Sequence, residues 1–383
     1  MRNAISLHGL TKKSVLLANA SIEKTLPPCR EESMNFDSTE NLYIESDNLD
    51  VLKFLQETYL NKVKMIYIDS PYNTGNDFVY EDDFAQSTNE YLESSGQFDE
   101  IGNRLVKNLD SNGRFHTNWL NMIYPRLKLA KDLLRDDGII FISIDDNEVQ
   151  NLWKLCDEIY GEENFIGCFV WKRRTPSAMD RTKASTDHEY VLAYHRGVFS
   201  ALRGVDKDFQ GYSNPDCDPR GLWTTGDLTV GMNGDMRPNQ FYNLIDPKTG
   251  KVYKPNLNRV WSYAPESMQK LIEEGRVIFP EDINKRPMRK RFANELNSDI
   301  NPFSTWLTEV GMNAEGTRIA NSLFDNKALF NYTKPLSLIK SLIQQATANS
   351  DIILGFFSGS TTTAHLSLCF ANAVALSCSK TCR

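Results

Sequence analysis

The chain has 383 residues, 40% of them hydrophobic and 24% charged, which describes a globular protein of about two or three domains. Its formal net charge of -7 excludes a global attractive field for nucleic acid, so any such partner must meet a local basic patch. No apolar run approaches a membrane span, no leader pattern opens the chain, and the seven cysteines lack metal spacing, which points to a reduced, cytoplasmic setting.

Residues 1–40 are poorly patterned and read as an N-terminal extension. From Asn41 the sequence predicts a strand, a turn at Asp47-Asn48 and a helix to about Tyr59. Asp47 or Asn48 suits the helix cap. Met65-Ile66-Tyr67-Ile68 is a short apolar run rich in strand formers. It breaks at once into Asp69-Ser70-Pro71-Tyr72-Asn73-Thr74-Gly75. A carboxylate, a rigid turn and an aromatic at a strand's carboxyl end stand where open α/β sheets place their chemistry. The same residue types also make an ordinary turn.

Residues 85–115 are polar with little periodicity and read as a loop beside that edge. Apolar residues at 119, 120, 123, 127, 130, 133 and 134 have helical spacing, with Pro125 expected to kink the helix. Residues 139–144 read as a buried strand closing on Asp145-Asp146. A helix from Glu148 to Tyr160 and a strand from Phe165 to Trp171 follow. Lys172, Arg173 and Arg174 then open a basic region, and Arg289, Lys290 and Arg291 form a second basic cluster. Between them lie Trp223, Tyr242, Trp261 and Tyr263. Basic residues among aromatics suit phosphate contacts and base stacking; a solvated face is the other reading. His188 to Tyr194 fits a strand returning to the sheet, with His188 structural.

Near the end, Lys334-Pro335 starts a helix with proline in its first turn. Residues 351–354 form a short strand running into Gly355-Phe356-Phe357-Ser358-Gly359-Ser360-Thr361. A strand passing through small residues into a helix presents backbone amides to an anionic group. It is not a phosphate loop of the Walker type, since no lysine precedes the Ser or Thr.

Asp69-Ser70-Pro71-Tyr72 resembles the Asp-Pro-Pro-Tyr motif of amino-group DNA methyltransferases. With Asn73-Thr74-Gly75 behind it, the chain is similar to the adenine-specific β group, which includes the Mod subunits of type III restriction-modification systems. The resemblance implies an α/β, Rossmann-like S-adenosylmethionine-dependent methyltransferase sheet with an inserted target-recognition region. It divides the chain into a catalytic half at 41–171, recognition at 172–325 and an incomplete cofactor half at 326–383. It implies DNA adenine-N6 methylation, in which Asp69 and the Ser70 carbonyl hold the amine of an adenine swung out of the duplex, Pro71 fixes the turn and Tyr72 stacks on the ring. Asp47, Asp69, Lys334, Pro335, Phe357, Ser358, Gly359, Ser360 and Thr361 would line the S-adenosylmethionine pocket, with no metal. Lys172, Arg173, Arg174, Arg289, Lys290 and Arg291 would contact double-stranded DNA. A helicase-nuclease restriction subunit and a homodimer are the implied protein partners.

Three positions depart from the family pattern. Ser70 stands for proline, Gly355 for an aspartate and Thr361 for a glycine. After Ala364 no acidic residue follows to hold a ribose, which reads as a truncated or frameshifted end. These departures keep an inactive DNA-binding remnant open as an alternative. A cytosine-N4 enzyme is the other alternative, against which Asp69 argues.

Overall fold

The computed structural model describes residues 18, 25–75, 115–176, 184–197, 202–323 and 333–357, and the backbone of 78–80 and 105–107. Contacts divide the chain into two units. One comprises Met1–Arg203 with Pro302–Arg383, the other Gly204–Asn301.

The first unit begins with α1 (Asn48–Tyr59) and β1 (Val63–Asp69). A small hairpin-like pair follows, β2 (Phe78–Tyr80) antiparallel to β3 (Leu105–Lys107). Next come α2 (Phe115–Leu133), β4 (Leu134–Ile144), α3 (Val149–Tyr160), β5 (Phe165–Lys172) and β6 (His188–His195). The unit resumes with β7 (Trp306–Leu307), α4 (Asn313–Leu323), α5 (Leu336–Ala346) and β8 (Ile352–Leu354). The six long-range strands form one sheet in the order β7-β5-β6-β4-β1-β8. All neighbours are parallel except those of β6, which runs antiparallel to β4 and β5. This is the mostly parallel α/β sheet expected from the sequence.

Both faces of the sheet are covered, so its central strands are apolar throughout rather than alternating. Ile66 and Ile68 of β1 join Ile140, Ile142 and Ile144 of β4 in a core shared with α1, α2 and α3. Met65 and Tyr67 point the other way, with Ile139, Phe141, Val191 and Ala193, into a core capped by α5. Helix α5 buries Leu338, Ile339, Leu342 and Ile343 there, a helical-period stripe. Each such side chain contributes about 1.5–3 kcal/mol. The period of 2 along a strand then puts Asp69 on the face of Tyr67, and Glu189 on the face of Val191. Both carboxylates therefore belong to the α5 side.

Two local expectations change. Residues 41–46 form no strand. Leu42 and Tyr43 are exposed, so a strand there would bury little, and the place beside β1 is taken by β8. The polar segment 85–115 is not wholly loop, since β3 pairs with β2 and Phe115 opens α2. Pro125 lies inside α2, whose bounds are Phe115 and Leu133.

The second unit is built of short strands. Met288–Phe292 pairs antiparallel with Trp223–Asp227 and with Val277–Ile278. A separate small core of Leu228, Leu244, Tyr253, Trp261 and Met268 supports it, with Met268 supplied by the helix Pro265–Glu273. Residues 172–203 and 302–323, grouped with the insertion on sequence grounds, cluster with the first unit.

Candidate active site

Six consecutive buried residues carry β1 to Asp69, its last residue and the first to be partly exposed. The chain then turns through Ser70, Pro71, Tyr72 and Asn73. Trp119 Nε1, from buried α2, donates to the Pro71 carbonyl at 2.7 Å. Asn73 has φ of 59°, a left-handed conformation that Asn tolerates better than most residues. Its amide donates to Glu148, which is fully buried at the start of α3. Glu148 also meets His116 Nδ1 at 2.6 Å and accepts from Asn151 at 2.8 Å. One buried carboxylate thus pins the turn from behind.

In front of the turn stands Lys334, just ahead of α5. Its ammonium lies 2.9 and 3.0 Å from the two Asp69 oxygens and 3.4 Å from Glu189 Oε2. The Tyr72 hydroxyl donates to the same Glu189 oxygen at 3.1 Å, and Arg173 reaches Glu189 Oε1 at 3.5 Å. The ammonium also sits 4.9 Å from the Tyr72 ring centroid, within cation–π range. Burial by itself would push Lys334 down; the Asp69 and Glu189 carboxylates outweigh it and hold the ammonium above the usual lysine range. Burial, then the charges of Asp69 and Glu189, raise the Tyr72 phenol well above its ordinary value, so it stays a neutral donor.

Two hydroxyls beside this cluster are buried without a hydrogen-bond partner among the described residues. They are Ser70 Oγ and Thr333 Oγ1, each in a residue 3% exposed. Each is adjacent in the chain to one member of the Asp69–Lys334 pair. Buried polar atoms are normally paired, so these two hydroxyls are a local cost beside the cluster.

Asp47 caps α1, accepting from the amides of Leu49 at 2.9 Å and Asp50 at 3.4 Å. Next to it Asn48 donates to the Phe356 carbonyl at 2.9 Å, which brings the start of α1 to the end of β8. Arg126, fully buried on α2, donates to Asn48 Oδ1 at 2.6 Å and lies 3.8 Å from Asp47. Pro335 occupies the position just before α5 without a capping bond, and Phe357 packs beside Phe356 at 5.4 Å between ring centroids. Ser358, Gly359, Ser360 and Thr361 lie outside the described residues.

The basic residues divide. Lys172 is exposed; Arg173 turns into the Glu189 network; Arg174 pairs with Asp187 at 3.5 Å. In the second unit the strand period separates Arg289 and Arg291 from Lys290. Lys290 is 8% exposed and ion-paired with Asp216 and, at 2.9 Å, with Asp218. Arg289 donates to the Tyr263 hydroxyl, and Arg291 is exposed.

Glu148, Glu189, Arg126 and Trp119 were not anticipated from the sequence. Only Glu189 left a signal, as a carboxylate at the head of an otherwise apolar strand. At the end of β4, Asp145 accepts from Asn147 two residues on, and Asp146 accepts from the Tyr190 hydroxyl of β6.

A mostly parallel sheet with one reversed strand carries Asp-Ser-Pro-Tyr at a carboxyl end, and similarity to known proteins places that arrangement among the DNA methylases. The family model N6_N4_Mtase, described as DNA methylase, matches residues 63–372, and the chain belongs to that family. It is 38% identical over 336 residues to the type III restriction-modification enzyme StyLTI Mod subunit of Salmonella typhimurium, across 86% of this chain and 50% of that protein. It is 32% identical over 376 residues to the EcoP15I Mod subunit of Escherichia coli, across 88% and 56%. To the type II methyltransferase M.KpnI of Klebsiella pneumoniae it is 30% identical over 392 residues, across 95% and 84%. The chain spans about half the length of the Mod subunits it matches.

Proposed function

We propose that this chain is the methyl-transferring part of a site-specific DNA adenine-N6 methyltransferase, the modification component of a type III restriction-modification system. The observation that carries the reading is the turn after β1. There the turn bearing Asp69, Ser70 and Tyr72 is held through Asn73 by Glu148 and through Pro71 by Trp119, and faced by Lys334 and Glu189. The exocyclic amine of adenine is a weak nucleophile because its lone pair is delocalised into the ring. Acceptors aimed at its hydrogens favour a pyramidal nitrogen with a more available pair. Asp69 is such an acceptor, and the neutral Tyr72 ring offers a stacking surface to an extruded base.

S-adenosylmethionine, when bound, supplies a methyl group already activated by the sulfonium charge. Asp47, Asn48 and Phe357, gathered where the start of α1 meets the end of β8, and Pro335 ahead of α5 would line its pocket in this reading. These residues bind and orient; Asp69 receives the proton-bearing side of the amine.

Double-stranded DNA is the substrate in this reading, with Arg289 and Arg291 of the second unit supplying phosphate contacts that position without reading sequence. A helicase-nuclease subunit as restriction partner and a homodimer complete the proposal. The test is methyl transfer from labelled S-adenosylmethionine to mixed-sequence DNA, followed by sequencing of the modified positions. Label on adenine within one short sequence is the expected outcome; label on cytosine, or none, overturns it.

A further inference from the structure

Glu189 is assigned no part in the chemistry above, yet both of its oxygens are committed to the site. Oε2 accepts from the Tyr72 hydroxyl at 3.1 Å and faces Lys334 Nζ at 3.4 Å; Oε1 faces Arg173 at 3.5 Å. Its residue is 4% exposed, as deep as an ionisable group goes without a purpose in packing or pairing. Strand pairing fixes it there. Glu189 lies opposite Trp171 on β5, and Val191, two residues on, lies opposite Ser143, itself the partner of Asp69.

The problem it solves is visible at Asp69. Lys334 contacts both Asp69 oxygens, at 2.9 and 3.0 Å, and so competes for the acceptor that the target amine needs. A carboxylate offers about four lone-pair sites, so an ammonium bridging the two oxygens leaves one on each for an amine, provided a second carboxylate shares the ammonium's charge. Charge matters too. Asp145 also lies within electrostatic reach of Glu189 and Arg173, so the carboxylates outnumber Lys334 and Arg173 by one; neutralising Glu189 removes that excess negative charge beside an amine that becomes positive as it is methylated.

We propose that Glu189 is a positioning residue for the target base: it anchors the Tyr72 ring by its hydroxyl and shares the charge of the Lys334 ammonium with Asp69, leaving acceptor capacity on Asp69 for the amine. The assignment rests on the adenine-methyltransferase reading and adds a residue to it.

The experiment compares the wild-type chain with Glu189→Gln and Tyr72→Phe. In Glu189→Gln, kcat falls on the order of 10-fold or more while KM for S-adenosylmethionine stays within about twofold, the pattern of a loss felt only in the transition state. Tyr72→Phe, which loses the anchor but keeps the charges, gives a smaller fall. The NMR shift of Lys334 Nζ, read at neutral pH, reports the network directly and without turnover. Removing the Glu189 charge changes the partners of this buried ammonium, so its Nζ shift moves in Glu189→Gln while those of the exposed lysines stay in place. A wild-type chain that transfers no methyl group contradicts the enzyme reading, and the Nζ shift still decides the network. Parental kcat in Glu189→Gln, or an unmoved Lys334 Nζ shift, overturns the proposal. Collapse of all lysine shifts to unfolded values marks general unfolding and equally overturns it.

Discussion

Lys334 donates to one carboxylate oxygen of Asp69 at 3.0 Å and is ion-paired with the other at 2.9 Å, across 265 residues of sequence. The contact ties the turn after β1 to the start of α5 and joins two motifs that the sequence shows separately. It also determines how the central carboxylate should be tested, because truncating Asp69 strands a buried ammonium.

Asp69→Asn keeps the shape of the side chain and leaves Lys334 with Glu189. Methyl transfer should fall by on the order of 10² or more, the loss typical of a preorganised group at the reacting centre. DNA affinity, measured by fluorescence anisotropy, should stay within about twofold, since the carboxylate touches no phosphate. Transfer at the parental rate would remove Asp69 from the chemistry.

The Ser70 hydroxyl is buried without a partner among the described residues. Ser70→Ala removes an unsatisfied polar atom and should raise stability by about 1 kcal/mol, read as an increase in Tm of the free protein. A drop in Tm would mean that the hydroxyl is satisfied in solution by water.

Neutralising Arg289 and Arg291 together should weaken binding to all DNA sequences and lower the salt slope by about 2, one for each phosphate contact. Lys290→Met should act differently. It leaves Asp218, 5% exposed, and Asp216 without their common ammonium, so its effect is on the stability of the second unit. Equal losses of DNA affinity without loss of Tm in both variants would return Lys290 to the DNA face.

Arg126 is fully buried and holds Asn48 while facing Asp47, the residues that bring α1 to the end of β8. Arg126→Met should cost on the order of 3 kcal/mol, as expected when one partner of a buried polar network is removed. Urea unfolding measures it; a midpoint unchanged from the parent would contradict the network.

Asp137 is held down from 3.8 to about 2, first by its bond from Arg135 and then by Lys64. Its folded pKa lies below its unfolded value, so its contribution is present above the ordinary carboxylate range. That contribution is lost as pH falls from about 4 towards 2. Asp137→Asn should therefore flatten the acid limb of a stability–pH curve in that window and leave the limb above neutrality unchanged. An unaltered acid limb would refute the assignment.

The sequence by itself determined β1, β4, β5, β6 and β8 and the helices α1, α2, α3 and α5, because apolar runs with 2.0 and 3.6 periods report burial directly; the short β7 and the polar α4 left no such signal. It also determined the turn at Asp69-Ser70-Pro71-Tyr72, whose residue types are local turn chemistry. The expected strand at 41–46 failed because strand pairing is not local: the edge of β1 goes to whichever segment buries more, and that is β8. Alternation within the strand Met288–Phe292 was written in the sequence, but its meaning depended on what lay on each side. Asp216 and Asp218 draw Lys290 inward while Arg291 stays exposed. Only the tertiary structure decided that Glu148 pins Asn73 and that Glu189 meets Tyr72 and Lys334. Such partners come from strands and helices distant in sequence, and charge pairing at 3 Å leaves no periodic trace along the chain.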